Sequence, residues 1–375
     1  MSIDRNALEH VPLSDPGSES ASLRAEILVA LTRVIDSGSY ILGPEVVAFE
    51  SALAANIGVA HAVGVASGTD ALVLALLAVG VDAGDEVIAV SHTATATVAA
   101  IRMIGAVPVL IDVDERSYCI DPDKIDAAIG PRTRAIIAVH LYGHPANMTT
   151  VKSAARHHKI SVIEDCAQAQ GATIGEQQVG SFGEIACFSF YPTKNLAAIG
   201  DGGAVVTNNA ALADRARKLR TYGWTKPQYA EFQNGRCSRL DEIQAAILSL
   251  KLKSLSSNLQ HRRNAAERYC SELATLPLVL PSERAGSRHS YHLFVVRAQA
   301  RDALEAHLRA RGITTGRHYP WPVHLQPGVA SLARVPAPLA VTERLAGEIL
   351  SLPMFATISE AQIERVADAV REFYR

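Results

Sequence analysis

Three short stretches of this sequence combine residue types that can do chemistry together. The first is Cys187-Phe-Ser-Phe-Tyr-Pro-Thr-Lys194, followed by Gly200-Asp-Gly-Gly203. Lysines are mostly solvated, and that is the ordinary reading of any one of them. Lys194 instead follows an apolar strand and a proline turn and precedes a glycine-rich turn. Such a position can desolvate the amine and lower its pKa, the condition for Schiff-base chemistry. The second stretch is Ile160-Ser-Val-Ile-Glu-Asp-Cys-Ala-Gln168. An apolar strand ends there in acid, so Asp165 and Gln168 fall at the carboxyl end of a sheet, where open α/β folds bind ligands. A carboxylate in that place can hold a ring nitrogen protonated, or it can serve simply as a helix cap. The third is Val65-Ala-Ser-Gly-Thr-Asp70, between a strand and a helix. Ser67, Gly68 and Thr69 either cap that helix or offer its free N–H groups to an anion.

These residues need a scaffold, and the sequence supplies one. Short Val/Ile/Ala-rich runs alternate with helical stretches, the pattern of a largely parallel sheet covered by helices. The predicted strands are 61–65, 87–90, 107–112, 135–140, 160–164, 185–190 and 204–207. Helices are predicted at 70–79, 95–104, 122–129, 150–157 and 210–219, with a long amphipathic one at 240–255 running into 264–273. Beyond about residue 275 the composition changes. A strand is predicted at 291–297, helices at 303–311, 341–350 and 359–373, and an irregular loop rich in Pro, His and aromatics at 317–335. The fold class is therefore α/β. A large domain spans residues 1–250, and a smaller α+β domain spans 251–375.

Composition narrows the function. The 375 residues are 48% hydrophobic and 20% charged, with a formal net charge of −2, which suits a soluble globular chain. That balance offers no basic field for nucleic acid and no polybasic membrane patch. The longest apolar run, Ala71 to Val81, is 11 residues and too short to span a bilayer. The N-terminal run Met1-Ser-Ile-Asp-Arg-Asn-Ala-Leu-Glu-His10 lacks the layout of a secretory leader. Five cysteines form no CxxC pair, and a reducing cytoplasm is the economical expectation. His140 and His144 have i,i+4 spacing, but Gly143 and Pro145 deny them a helix, so no metal site is expected. Neither a P-loop nor a G-x-G-x-x-G sequence is present.

An anion cradle, an acidic partner for a pyridine nitrogen and a desolvated lysine are together what pyridoxal 5′-phosphate requires. In this order the motifs also resemble the DegT/DnrJ/EryC1/StrS sugar aminotransferases. The resemblance covers nearly the whole chain. It runs from Gly38-Ser-Tyr-Ile-Leu-Gly-Pro-Glu45 through Ser67-Gly-Thr-Asp-Ala71, Gly84-Asp-Glu-Val-Ile88, His140-Leu-Tyr-Gly143 and the three stretches above, to Arg239-Leu-Asp-Glu-Ile-Gln-Ala245 and His318-Tyr-Pro320.

The resemblance implies an aspartate-aminotransferase-like fold (PLP fold type I) and a homodimer with sites at its interface. It implies that Lys194 carries the cofactor and then acts as base and acid in a 1,3-proton shift. Asp165 would pair with the pyridinium nitrogen, Gln168 would lie near the ring hydroxyl, and Gly68, Thr69 and Ser189 would hold the phosphate. Some relatives carry His in place of Lys194 and act as dehydratases, so lysine argues for transamination. His318, Tyr319 and His324 would face a nucleotide-linked keto-deoxysugar, with glutamate as the expected donor. Ser91-His-Thr93, Gly200–Gly203 and Cys237-Ser-Arg-Leu-Asp-Glu242 resemble the 3-keto subgroup more than the 4-keto one. Rival readings are a 4-keto-sugar or cyclitol aminotransferase, a dehydratase on the same scaffold, and a PLP-binding regulatory protein without turnover.

Two positions depart from the family pattern. Cys237 stands where many members place an Asn that reaches the neighbouring subunit's phosphate, so either Ser238 or Arg239 takes that contact or it is missing. Ala94 stands where many place an aromatic over the ring, which leaves His92 as the candidate there.

Overall fold

A computed structural model describes residues 10–375 of the chain. Apart from His10, the N-terminal run from Met1 to His10 lies outside the described residues.

Seven buried strands form the central sheet: β1 (His61–Val65), β2 (Glu86–Val90), β3 (Val107–Ile111), β4 (Thr133–Val139), β5 (Ser161–Asp165), β6 (Ile185–Ser189) and β7 (Gly203–Thr207). Their order is β1-β7-β6-β5-β4-β2-β3. The pairs from β6 to β3 are all parallel. β7 runs antiparallel to both β1 and β6. Each strand matches an expected run to within about two residues at either end, because buried parallel strands are read as continuous apolar strings.

The apolar run that begins at Ala71 becomes helix Gly68–Ala78, with every residue from Ala71 to Ala78 buried. A helix apolar all round belongs in a core. None of the helices among the described residues is long and apolar enough to cross a membrane. All five cysteines are free thiols.

Three N-terminal helices, Pro16–Ser22, Arg24–Ser37 and Pro44–Ile57, were not among the sequence expectations. The last has Gly43 at its N-cap and no capping side chain of its own. Glu242 supplies the acceptors instead, taking N–H bonds from Gly43 (2.8 Å), Glu45 (2.9 Å) and Val46 (2.9 Å). A buried carboxylate at a helix N-terminus meets both the orphan donors and the dipole.

Glu242 opens helix Glu242–Leu273, which is continuous for 32 residues rather than broken after residue 255. The boundary expected at residue 250 falls inside it. Its first part, through Leu259, packs with Phe49, Phe188 and Phe190. Its last part, from Ala265, packs with Phe294, Leu304 and Val366. The C-terminal unit also takes in Val11, whose N–H and carbonyl bond Gly312 and Thr314 at 2.9 Å each.

Within that unit β8 (Phe294–Arg297) pairs antiparallel with β9 (Ile349–Leu352). The sequence reading extended a helix across 341–350. The helix stops at Glu348, and the apolar run Ile349–Leu352 is strand. Residues 317–335 are largely irregular as expected, apart from short turns of helix at Val323–Leu325 and Pro327–Ala330.

Candidate active site

The carboxyl ends of β2, β4, β5 and β6 deliver Ser91–Thr93, His140–Tyr142, Asp165–Gln168 and Ser189–Lys194 to one edge of the sheet. Asp165 is the last residue of β5 and is 5% exposed. Its Oδ2 accepts the Thr97 hydroxyl at 2.9 Å, and its Oδ1 accepts the Ala167 N–H at 3.2 Å. Burial raises its pKa, against the pull of those donors and of Lys194.

The Lys194 side chain keeps partial contact with solvent, yet protein crowds its amine. Desolvation lowers its pKa to about 8, against the attraction of Asp165. Its Nζ makes no hydrogen bond or ion pair among the described residues. An unpartnered amine beside a carboxylate, with its pKa lowered toward neutrality, is more readily deprotonated for attack on a carbonyl than an ordinary lysine.

Gln168 links two further parts of the site. Its Oε1 accepts the Tyr142 N–H at 2.8 Å, and its Nε2 donates to the Tyr319 hydroxyl at 2.9 Å. Tyr319 uses its oxygen as acceptor there, so its own proton remains available. Burial pushes its pKa up to about 12. His318 holds Ser351 Oγ at 2.8 Å through Nδ1, and its carbonyl accepts the Tyr142 hydroxyl. Desolvation, with Lys194 nearby, lowers the His318 ring to about 4. His318 and Tyr319 are thus brought to Lys194 and Gln168. His324 is held elsewhere: its Nδ1 meets Ser91 Oγ at 2.7 Å and its Nε2 meets Glu343 at 3.2 Å. With both nitrogens engaged, it fastens its loop to the end of β2.

The anion cradle is assembled by close packing. Ser67 caps helix Gly68–Ala78, its Oγ accepting the Asp70 N–H at 3.1 Å. The N–H groups of Gly68 and Thr69 remain at the helix start. A Cβ on Gly68 would lie 2.6 Å from Ser189 Cβ, and one on Gly203 would lie 2.4 Å from the Ser67 carbonyl. Glycine at both places lets β6 and β7 approach the cradle. Beside it, Ser238 is buried, and its Oγ accepts the Ala66 N–H at 3.2 Å. Cys237 is exposed. Arg239 is half-buried and has no hydrogen-bond or ion-pair partner among the described residues.

His92, the candidate for covering the ring, is 1% exposed. Its Nε2 meets the Tyr142 hydroxyl at 2.7 Å, while Nδ1 has no partner. Burial lowers its pKa to about 4. It supports Tyr142 from behind rather than standing open to the cleft.

Two site residues escaped the sequence reading. Thr97 carried one signal, its i+4 spacing from Thr93, whose hydroxyl it meets at 3.1 Å. Tyr142 carried none, because its role depends on a positive φ of 61° that turns its N–H toward Gln168.

His140 lies close to Glu164 and Cys166, but its ring nitrogens are taken. Nε2 meets Glu164 at 3.0 Å, and Nδ1 accepts the Ala146 N–H at 2.9 Å. Glu164 in turn accepts N–H bonds from Gly180, Phe182 and Gly183 at 2.7–2.9 Å. This group is a structural network.

A mixed seven-stranded sheet with lysine and aspartate at its carboxyl edge defines a PLP enzyme of fold type I. The chain belongs to the DegT/DnrJ/EryC1/StrS aminotransferase family, which it matches over residues 21–371. It is 47% identical over 361 residues to the UDP-N-acetyl-3-dehydro-alpha-D-glucosamine 3-aminotransferase of Acidithiobacillus ferrooxidans, covering 96% of this chain and 97% of that one. It is 46% identical over 364 residues to the dTDP-3-amino-3,4,6-trideoxy-alpha-D-glucose transaminase of Streptomyces venezuelae, covering 97% and 96%. Among solved structures, S. venezuelae DesV superposes with a TM-score of 0.94 at 46% identity, covering 98% of this chain and 99% of that one. The protein is a PLP-dependent aminotransferase. The residues fit that cofactor: an unpartnered amine at Lys194, a buried carboxylate at Asp165, and a cradle that a Cβ at Gly68 or Gly203 would crowd.

Proposed function

We propose that this chain transfers an amino group from glutamate to the 3-keto carbon of a nucleotide-linked deoxysugar. The observation that carries the reading is Lys194: a desolvated, unpartnered amine with a pKa near 8, set beside Asp165 and opposite His318 and Tyr319. The 3-keto position draws support from the names of the relatives at 46–47% identity.

In this reading Lys194 would hold the cofactor, and its amine would serve as the general base and acid of the site. The bound cofactor supplies an electron sink. Asp165, held by Thr97, keeps the ring nitrogen charged. The Nε2 of Gln168 has a second proton for the ring hydroxyl. Gly68 and Thr69 N–H groups and the Ser189 hydroxyl take the phosphate at a helix N-terminus. Tyr319 offers its free proton to the sugar, with His318 beside it. His324 acts on the sugar only through the loop it anchors.

A homodimer is part of the proposal. Leu28, Val29, Ile35, Tyr40, Ile41 and Val47 are each about half exposed or more, an apolar surface that a twofold copy would cover. Arg239, without a hydrogen-bond or ion-pair partner among the described residues, would reach the neighbour's phosphate. A cytoplasmic location also belongs to the reading, supported by the five free cysteines.

The test is a pair of half-reactions. Glutamate should bleach the pyridoxal absorbance of the holoenzyme. A 3-keto sugar nucleotide should then restore it faster than the 4-keto isomer. Equal or reversed preference contradicts the regiochemistry.

A further inference from the structure

Residues 290–293, just ahead of β8, lay the C-terminal unit against the active site. Two backbone bonds pin them to the turn after β4. Ser290 N–H meets the Gly143 carbonyl at 3.0 Å, and Leu293 N–H meets the Tyr142 carbonyl at 3.2 Å. The approach is close: a Cβ on Gly143 would lie 2.5 Å from Ser290 Oγ and 3.1 Å from the His292 backbone nitrogen. A second hold comes from Asn195, which is buried and donates Nδ2 to the Ser290 carbonyl at 3.1 Å. Asn195 directly follows Lys194, so this bond ties the segment to the lysine's own turn. A third comes from the long helix. Arg262 Nη1 donates to the carbonyls of Tyr291 at 3.2 Å, His292 at 3.4 Å and Met354 at 3.2 Å.

The backbone of His292 is thus fixed between Tyr142, the lysine turn and the long helix. Its ring is 5% exposed, and Nδ1 has no hydrogen-bond partner. Buried polar atoms are nearly always paired, so an unpaired one needs a reason. Burial pushes the ring's pKa well below the ordinary histidine value, and Lys194, Arg262, His318 and His289 push the same way. The ring is therefore neutral at physiological pH, with one nitrogen a donor and the other an acceptor.

After burial, Lys194 is the largest of those influences, and its amine also lacks a partner. An acceptor without a donor and a donor without an acceptor share one buried neighbourhood. The flexible stem of a lysine lets its amine move between partners. Asp165 attracts the same amine, but a carboxylate favours the charged ammonium, which has no lone pair to act as base. A neutral imidazole can hold one N–H and leave the lone pair of the amine free.

We propose that His292 is a positioning residue for Lys194, its Nδ1 accepting an N–H of the lysine amine whenever that amine is free of the cofactor. The inference rests on the role of Lys194 proposed above and adds the group that holds its amine in place.

The test compares His292→Leu, His292→Gln and His292→Asn. The amide of Asn can take the place of Nδ1, whereas that of Gln reaches the place of Nε2. Two rates are read. One is the rate at which apoenzyme mixed with pyridoxal phosphate develops the absorbance of the holoenzyme. The other is bleaching of the holoenzyme at saturating glutamate. His292→Leu and His292→Gln should lower both roughly 10- to 100-fold, the scale of a misplaced reacting group. His292→Asn should stay near the unaltered rates. The glutamate concentration for half-maximal bleaching and the urea midpoint of the apoenzyme should hold in all three. Unaltered rates in His292→Leu overturn the inference, and so does an Asn variant as slow as the Leu variant. Rates that fall only in step with the urea midpoint also overturn it, since His292 would then merely support the fold. Lys194→Ala separates the two readings. If that variant still develops the holoenzyme absorbance, the role of Lys194 and that of His292 fall together. If it does not, a failure at His292 leaves Lys194 intact.

Discussion

Thr97 donates its hydroxyl proton to Asp165 Oδ2 at 2.9 Å, across 68 residues of sequence. Burial favours the neutral acid at Asp165, and this bond favours the carboxylate. A hydrogen bond to a charged group is worth about 1.5–3 kcal/mol. Thr97→Val should therefore raise the Asp165 pKa further and move the acid limb of the kcat profile upward, with kcat down roughly tenfold. Asp165→Asn should fold normally and lose roughly 10²-fold or more in kcat, the scale of one lost electrostatic partner. Steady-state kinetics across pH on both variants checks this. Native turnover in Asp165→Asn contradicts the assigned role.

Gly203→Ala tests the cradle. The added Cβ would meet backbone, the Ser67 carbonyl at 2.4 Å, so the helix start must shift. Neither Gly203 nor Gly68 has a positive φ, and space alone decides the outcome. We expect at least tenfold weaker cofactor binding, read by fluorescence titration of the apoenzyme. Gly68→Ala meets Ser189 Cβ at 2.6 Å and should act in the same direction. Undisturbed affinity in both variants contradicts the cradle.

Much of this fold was legible because its strands are buried on both faces and read as unbroken apolar runs. Helix Ala210–Leu219 matches its expected bounds, with Asn209 as a clear cap. Residues 349–352 were misread because a short apolar run beside a helix has no periodicity to separate strand from helix. The polar stretch near residue 256 looked like a break in the long helix but is its solvent face. In the site, Lys194, Asp165 and Gln168 stand out because they sit at strand ends in unusual company. Tyr142 and the engaged ring of His324 could not be read, and Thr97 showed only its spacing from Thr93, since the role of each depends on a contact between segments far apart in sequence.

Lys194 couples the site to stability. Its amine titrates near 10.5 in the unfolded chain and near 8 in the fold. Between those values the unfolded state binds more protons, so the apoenzyme gains stability as pH rises through that window. Below pH 8 the full cost of the buried charge is present, on the order of 2–3 kcal/mol. Apo Lys194→Met should therefore be more stable than the unaltered apoenzyme at pH 7, with the gap narrowing toward pH 10. Urea denaturation of both at several pH values measures it. A gap that widens with pH contradicts the assignment.

Arg239 tests whether sites are shared. Lys194→Ala and Arg239→Ala homodimers should be inactive and weakened respectively. After subunit exchange, one site of each heterodimer carries both defects and the other carries neither. Activity should rise above that of either parent. Demonstrated exchange with no recovery means that the sites are built within single chains, or that Arg239 does not serve the phosphate.

The most direct test follows the nitrogen itself. Holoenzyme is incubated with ¹⁵N-glutamate and a 3-keto sugar nucleotide, in UDP- and dTDP-linked forms, and the product is read by ¹⁵N-edited NMR. The expected result is label on C3 of the sugar, and its loss in Lys194→Ala. Holoenzyme that exchanges label with glutamate yet leaves every 3-keto sugar nucleotide unlabelled, even at stoichiometric enzyme, contradicts the account.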